Sequence, residues 1–342
     1  MRHVLRVLTR PKCSRPIGHF RRLALALLLS LVAAPLAVDA QQSEKVYRIG
    51  MLERTSKTLN AASLNGFLQG MRELGYLEGK HFVIEYRSAD GLDERFPELA
   101  ADLARLRVDL IVTRGTQAIL ATKNATDTIP VVITGAGDPV AQGIVVSLAR
   151  PGANITGLNP MVTELYPKRV ELLRALVPKA VRIAALCNMS SPAVPPAWKE
   201  VERAARSMGI EAKLLDVRKA GDLGPAFEGA LKQRADGLVV ALDTLTQANR
   251  QLIVELAGKH RLPAVYASRE FSGGLVTYGA NYGDVYRRAA AFVDKIFKGA
   301  KPADLPMQQP TQLELVINLT TARALGLTVP SSLLLQADQV IQ

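Results

Sequence analysis

The chain has 342 residues, 43 Lys and Arg against 31 Asp and Glu, and a formal charge of +12. Seven of the basic residues and one acid fall in the first forty positions, so the remainder carries +6; this suits a soluble protein, and with no Lys/Arg block interleaved with aromatics it argues against a nucleic-acid partner. Of the cysteines, Cys13 lies in that basic leader and Cys187 is then alone, so no internal disulfide forms and stability must come from core burial, for which about 300 residues suffice.

The leader comes first in chain order. Residues 1–22 contain Arg2, Arg6, Arg10, Lys12, Arg15, Arg21 and Arg22 and no acid, and residues 23–38 are almost wholly apolar. Val38-Asp39-Ala40 then ends on a small residue before the polar Gln41-Gln42-Ser43-Glu44. A basic region, an apolar region and a small residue at a cleavage point describe a secretory signal peptide. The apolar run is also shorter than the ~20 residues of a spanning helix. Residues 1–40 therefore read as a signal peptide cleaved near Ala40 and the remainder as periplasmic, with an uncleaved anchor as the rival reading.

Residues 47–52 read as a buried strand. Leu64, Phe67, Leu68, Met71 and Leu74 then form one apolar helical face. A strand at 81–87, a helix carrying Phe96, Leu99, Ala100, Leu103 and Leu106, a strand at 108–113, a helix at 116–124 and a strand at 130–134 continue the alternation. This rhythm predicts a parallel sheet with helices on both faces. The turn-rich Arg150-Pro151-Gly152-Ala153-Asn154 is a hinge or simply a loop. After Gly157 the rhythm restarts: helices at 165–176, 198–208, 223–233 and 247–260 alternate with strands at 181–187, 212–217, 237–242 and 264–267. A strand at 274–278, a helix through Val285 and Ile296, an extended Pro-rich stretch at 301–310, a strand at 313–317 and a short helix at 320–325 close the chain. The expectation is an α/β protein of two doubly wound parallel-sheet lobes with a ligand cleft between them. The lobes are 45–158 plus 279–300 and 159–278 plus 301–342.

Catalytic patterns are missing. His81 and His260 stand far apart and neither is near Cys187. No Gly-x-Ser-x-Gly elbow or Cys/His metal spacing occurs. Residues 135–140 begin like a dinucleotide fingerprint, but Val140 stands where the third glycine belongs. No cofactor and no metal is expected.

Ligands of parallel α/β sheets bind beyond the carboxyl ends of the strands. Those positions hold Thr55 and Ser56, Gly115 and Thr116, Gly137 and Asp138, Asn188, Asp243 and Thr244, and Tyr266 and Glu270. Gly115 and Thr116 open a helix and suit a carboxylate. Asp243 or Glu270 suits an ammonium group, and Tyr266 suits a ligand ring. The competing reading makes Thr116, Asp138 and Asp243 helix caps and turn residues.

Long stretches resemble a known family. Ile129-Pro130-Val131-Val132, Gly135-Ala136-Gly137-Asp138-Pro139-Val140 and Ser147 through Gly157 carry the likeness, as do Arg261-Leu262-Pro263-Ala264, Arg269-Glu270, Asn281-Tyr282 and Tyr286-Arg287-Arg288. So do Lys301-Pro302-Ala303-Asp304-Leu305-Pro306, Gln309-Pro310-Thr311 and Glu314 through Asn318. These resemble the ABC-transporter substrate-binding protein family, whose characterised members include tryptophan- and tyrosine-binding proteins, over about residues 45–342. The resemblance implies a type I periplasmic-binding fold with three crossings between lobes. It also implies a small-molecule ligand, expected to be an amino acid or related carboxylate, and delivery to a membrane permease with a cytoplasmic ATPase, membrane contact being only through that permease. A binding protein rather than an enzyme is implied. The family's cleft loops fall on the eleven strand-end residues named above. Arg114 departs from the small or apolar residue expected there: inside the cleft it favours a ligand with an extra acidic group, and pointing outward it is neutral. Asp243-Thr244 is also an uncommon form of its loop. A sensor of the same fold, an exported enzyme and the ligand domain of a regulator are the rival readings.

Overall fold

The computed structural model describes residues 45–160, 162–309 and 312–342; the segment 1–40 read above as a signal peptide, with Cys13, and Pro310 and Thr311 lie outside them. β1 (Tyr47–Glu53) buries every residue from Ile49 onward, as an apolar run covered on both faces does. It pairs in parallel with β2 (Phe82–Ser88) and β3 (Leu110–Thr113). β4 (Val131–Ile133) and β5 (Ile155–Gly157) extend the sheet in the order β2-β1-β3-β4-β5. Helices α1 (Ala61–Glu73), α2 (Phe96–Arg105) and α3 (Thr116–Ala125) supply the crossovers.

The second sheet contains β6 (Arg182–Cys187), β7 (Glu211–Asp216), β8 (Gly237–Val240), β9 (Ala264–Tyr266), β10 (Val276–Ala280), β11 (Leu313–Asn318) and β12 (Gln339–Ile341). Their order is β12-β11-β10-β9-β8-β6-β7, and only β10 and β11 pair antiparallel among the described pairs. Its helices are α4 (Tyr166–Leu176), α5 (Val194–Ser207), α6 (Leu223–Lys232), α7 (Thr244–Ala248) and α8 (Arg250–Lys259). After β10, α9 (Tyr282–Phe297) returns to the first layer, and α10 (Leu319–Leu325) and α11 (Ser331–Leu334) finish the second.

α9 returns because α1 offers it a glycine face. A Cβ on Gly66 would lie 2.1 Å from the Gly283 carbonyl oxygen, and one on Gly70 2.1 Å from that of Arg287. The α9 backbone therefore rests directly on α1.

The parallel-sheet, two-layer architecture agrees with expectation; several details differ. α5 starts at Val194, because prolines in the first turn give up N–H groups that no helix bond would use. The expected helix at 247–260 is two helices, the first capped by Asp243. β5, α11 and β12 are too short to show periodicity in sequence.

The chain passes between layers at Leu158–Pro160, at Ala280–Asn281 and after Gln308. Gly279 and Ala280 pair with β11, so they belong to the second sheet. Residues 302–308 run along the first: Thr156 Oγ1 donates to the Leu305 carbonyl at 2.7 Å, and the Gln308 N–H donates to that of Gly157 at 2.9 Å. The Arg150–Asn154 stretch is a loop that feeds β5, not a crossing: Val131 N–H bonds the Asn154 carbonyl at 2.8 Å.

Candidate functional site

The carboxyl ends of β1, β3 and β4 face those of β6, β8 and β9, and the loops leaving them touch. Gln117 Nε2 donates to Ser191 Oγ at 2.6 Å, Arg250 Nη2 to the Leu59 carbonyl at 2.9 Å, and Gln142 Nε2 to that of Pro192 at 3.2 Å. Each bond joins one layer to the other, so the cleft is closed.

Charged side chains fill it. Arg114 follows β3 directly and points inward, 2 % exposed. Its guanidinium carbon sits 4.2 Å over the Tyr282 ring and 5.7 Å from that of Tyr286. Its Nη2 lies 3.5 Å from Glu270 Oε1 on the opposite layer. Burial works against its charge, but the Glu270 carboxylate, Tyr286, Glu53 and Tyr282 outweigh that and hold it firmly protonated. Glu270 also accepts from Gln247 Nε2 at 2.6 Å and Ser268 Oγ at 3.1 Å.

Glu53 ends β1 inside the core. Burial pushes its pKa up to about 7 against the pull of Arg114, the Tyr286 hydroxyl that bonds it, and Arg54. Arg54 differs from its neighbour Arg114. It is 8 % exposed and no carboxylate lies within ion-pair distance of it among the described residues; like those of Arg114, its Nε and Nη1 make no hydrogen bond within the protein. It lies on Gly115, the residue before α3, whose φ is 99°. A Cβ there would meet Arg54 Nε at 2.6 Å, so glycine serves both the turn and the contact.

On the facing wall Asp243 caps α7, Oδ1 accepting from the Thr246 N–H at 2.8 Å. Its Oδ2 makes no hydrogen bond. Burial pushes its pKa up to about 6, with Thr246 and Arg54 opposing. Arg54, Thr116, Gly137, Ser191, Asp243 and Tyr282 line a void of about 20 Å³, room for one water. A pocket of about 430 Å³ adjoins it through Gly137 and Ala193, walled by Pro139, Val140, Ala141 and Leu148.

Of the expected residues, Thr116, Gly137 and Asp243 line the void, and Thr116 Oγ1 accepts from the Gly137 N–H at 3.2 Å. Gly115 lies against Arg54, and Thr244 is buried beside Asp93, whose pKa burial raises while hydrogen bonds from Thr244 and Gln117 oppose. Asp138 is an exposed turn residue, accepting from the Val140 and Ala141 N–H groups at 3.0 Å, at the mouth of the larger pocket. Asn188 accepts from Ser190 N–H at 3.1 Å and lines a separate pocket with Asp93 and Arg218. Thr55 is buried, its carbonyl bonded to the Tyr86 hydroxyl at 2.8 Å, and Ser56 accepts from the Leu59 N–H at 3.4 Å in the turn before α1. Tyr266 stands apart. Its ring stacks on Phe271 at 5.0 Å between α8 and α10, with Val254 and Leu325.

Glu53, Gln247, Tyr282 and Tyr286 are the residues that strand-end reasoning left out, and Arg54 and Ser191 stand in the strand-end loops without being among the eleven expected contacts. Glu53-Arg54, a charge pair closing an apolar strand, and two tyrosines four apart on one helix were the available signals. Among the described residues no group of His, Cys, Asp and Glu is placed to hold a metal. Cys187 ends β6 buried, and burial raises its thiol pKa, the opposite of what a nucleophile needs.

Residues 49–341 match the family model described as ABC transporter substrate binding protein. A tyrosine-binding protein of Clostridioides difficile (strain R20291) is 25 % identical over 288 residues, covering 83 % of this chain and 82 % of that one. A conserved domain protein of Vibrio cholerae superposes with a TM-score of 0.81 at 25 % identity, covering 86 % of this chain and all of the other. An ABC domain of Streptococcus pneumonia in complex with L-Trp superposes at 0.79 and 25 % identity, over 87 % of this chain and 100 % of that one. No helix of the described residues is long and apolar enough to cross a membrane.

Proposed function

Because this chain belongs to the ABC transporter substrate-binding protein family, a family of binding proteins, we propose that it captures an amino acid or related carboxylate in the interlobe cleft and delivers it to an ABC importer permease. The observation that carries this reading is that one small void is lined from both layers by residues with buried polar atoms that bond nothing in the protein, Arg54 with Nε and Nη1 and Asp243 with Oδ2. Buried polar groups are ordinarily paired, because an orphan loses its hydration without return. A solute between the layers supplies the missing partners, and its side chain has the adjoining 430 Å³ pocket.

The relatives named for tyrosine and crystallised with L-Trp support an amino acid as the solute class. A ligand that touches both walls only when they meet shifts the population toward the closed form, which the permease reads before its ATPase acts. The basic-then-apolar leader at 1–40 fits export to the periplasm and removal near Ala40. The ligand-contacting set we assign is Arg54, Thr116, Gly137 and Asp243, with Gly115, Thr244 and Glu270 behind it and Asp138 and Asn188 at the mouths.

The test is a thermal-shift screen of residues 41–342 against amino acids, small carboxylates and sugars. A ligand at 100 times its Kd adds about 2.7 kcal/mol to the folded state. The expected result is a rise of several degrees with an amino acid that is recovered unchanged. Binding of sugars alone, or chemical conversion of the ligand, would refute the proposal.

A further inference from the structure

We propose that Arg54, seated on the N-terminus of α3, anchors the carboxylate of the ligand and that Asp243 on the opposite wall takes its ammonium group, so that the solute is a zwitterion held carboxylate to the first layer and ammonium to the second. The assignment rests on the cleft being the ligand site.

The two buried arginines have different balances. Arg114 also leaves Nε and Nη1 without a hydrogen bond, but Glu270 lies at ion-pair distance and two tyrosine rings pack on it, so its charge is answered inside the protein. Arg54 is more than nine-tenths buried with no ion-pair partner among the described residues and two nitrogens without a hydrogen bond. It also lies where a second positive charge would be least welcome. No side chain caps α3 and its first turn contains no acid, the nearby Asp93 carboxylate bonding the Gln117 side chain rather than the free N–H groups, so the positive end of the helix is left to a ligand. The missing Cβ of Gly115 lets the guanidinium rest against that end. A guanidinium and a helix N-terminus side by side make an anion site, and a carboxylate matches the guanidinium fork.

The other wall offers acceptors. Asp243 lines the same void, and its Oδ2 has no hydrogen bond. Gln247 Oε1, one turn along from the cap, also bonds nothing. A plain anion would pair with Arg54 but face Asp243, and a plain cation would do the reverse. A zwitterion answers both walls at once, and only when they are together, which couples its binding to closure.

The experiment compares L-tyrosine, L-tryptophan and L-leucine, each with its des-amino acid and its decarboxylated amine, by titration calorimetry on the wild-type chain, Arg54→Lys, Arg54→Gln and Asp243→Asn. We expect the wild type to prefer the amino acid over both analogues. Arg54→Gln should weaken amino acid and des-amino acid alike by about 30-fold or more, as removal of a buried charge partner does, with Arg54→Lys between. Asp243→Asn should weaken the amino acid but leave the des-amino acid within about threefold. An amino acid that binds the wild type and Arg54→Gln equally would overturn the inference while leaving the cleft as the ligand site. An acid that loses affinity in Arg54→Gln yet is indifferent to Asp243→Asn would overturn the ammonium half. Binding of none of the nine probes to a folded wild type would overturn the amino-acid reading itself. Each variant's cooperative thermal transition without ligand shows that it folds.

Discussion

Arg114 and Glu270 form an ion pair across the cleft, 3.5 Å apart, one at the end of β3 and the other beyond β9, with side chains 2 % and 9 % exposed. The pair exists only while the layers touch, so it contributes to closure in addition to whatever the ligand adds. Truncating one partner of a buried pair costs about 3–5 kcal/mol when the other stays buried. Here the molecule has an escape, because opening returns Arg114 to water. Glu270→Gln is therefore expected to shift the ligand-free protein toward the open form more than to unfold it. Small-angle scattering should give a larger radius of gyration for the variant, and ligand affinity should fall by the lost fraction of closed molecules. An unchanged radius with an unchanged Kd would mean that the pair does not hold the lobes together.

Stability of the ligand-free protein should depend on pH through Glu53 and Asp243. Burial raises both carboxyls, from 4.5 to about 7 and from 3.8 to about 6. A carboxyl whose folded pKa lies above its unfolded value contributes stability below the unfolded value, and that contribution is lost as pH rises through the folded one. The window is therefore about pH 4 to 7, with the folded state more stable at its acid end as far as these two groups are concerned. Glu53→Gln retains an acceptor for the Tyr286 hydroxyl, and Asp243→Asn retains the helix cap. Each should gain on the order of 2 kcal/mol over wild type at pH 8 and little at pH 4, read from urea titrations at the two pH values.

Much of this site was legible in the sequence as position and little of it as partnership. Strand ends could be counted from the alternation of apolar runs and helical stripes, and that count led to Thr116, Gly137 and Asp243, which line the void. What the count could not give was who faces whom. Whether Arg114 turns inward is decided by Glu270, 156 residues later and on the other sheet. With Glu270 there, the inward Arg114 does not call for a second acid on the ligand. Arg54 was visible as the residue after β1, but its isolation emerges only when every carboxylate around it is placed. The crossings were hidden for a similar reason: Gln308 follows the first sheet because it pairs with Leu158, a contact without local periodicity.

Tyr266 shows the limit of counting strand ends. β9 is short, and residue parity sends Val265 to one face and Tyr266 to the other. The ring ends under α8 against Phe271, and burial raises its phenol pKa. Tyr266→Phe is expected to leave ligand affinity within about twofold of wild type, since substitutions away from a binding contact change little. A loss of tenfold or more would place the hydroxyl in the site after all.

The contact between α1 and α9 carries the strongest structural prediction. In an exposed helix Gly→Ala gains about 1 kcal/mol from propensity alone. At Gly258 in α8 the new methyl would meet nothing within 4 Å, so Gly258→Ala should be neutral or stabilising by up to that amount. At Gly70 the same methyl would stand 2.1 Å from the Arg287 carbonyl oxygen and 2.9 Å from the Ala290 Cβ. Backbone cannot swing aside as a side chain can, so α9 must move bodily. Overpacking of this kind costs about 1–3 kcal/mol, enough to reverse the propensity gain. α9 also lies between two crossings, with its first turn fixed by Asn281, whose Oδ1 accepts from the Asp284 N–H at 3.0 Å. A shift of α9 therefore reaches the Tyr282 and Tyr286 rings that pack on Arg114. Gly70→Ala should lower the urea midpoint and weaken ligand binding together, whereas Gly258→Ala should do neither. Equal midpoints for the two variants would show that the helix pair tolerates a methyl and that the close approach does not control the site.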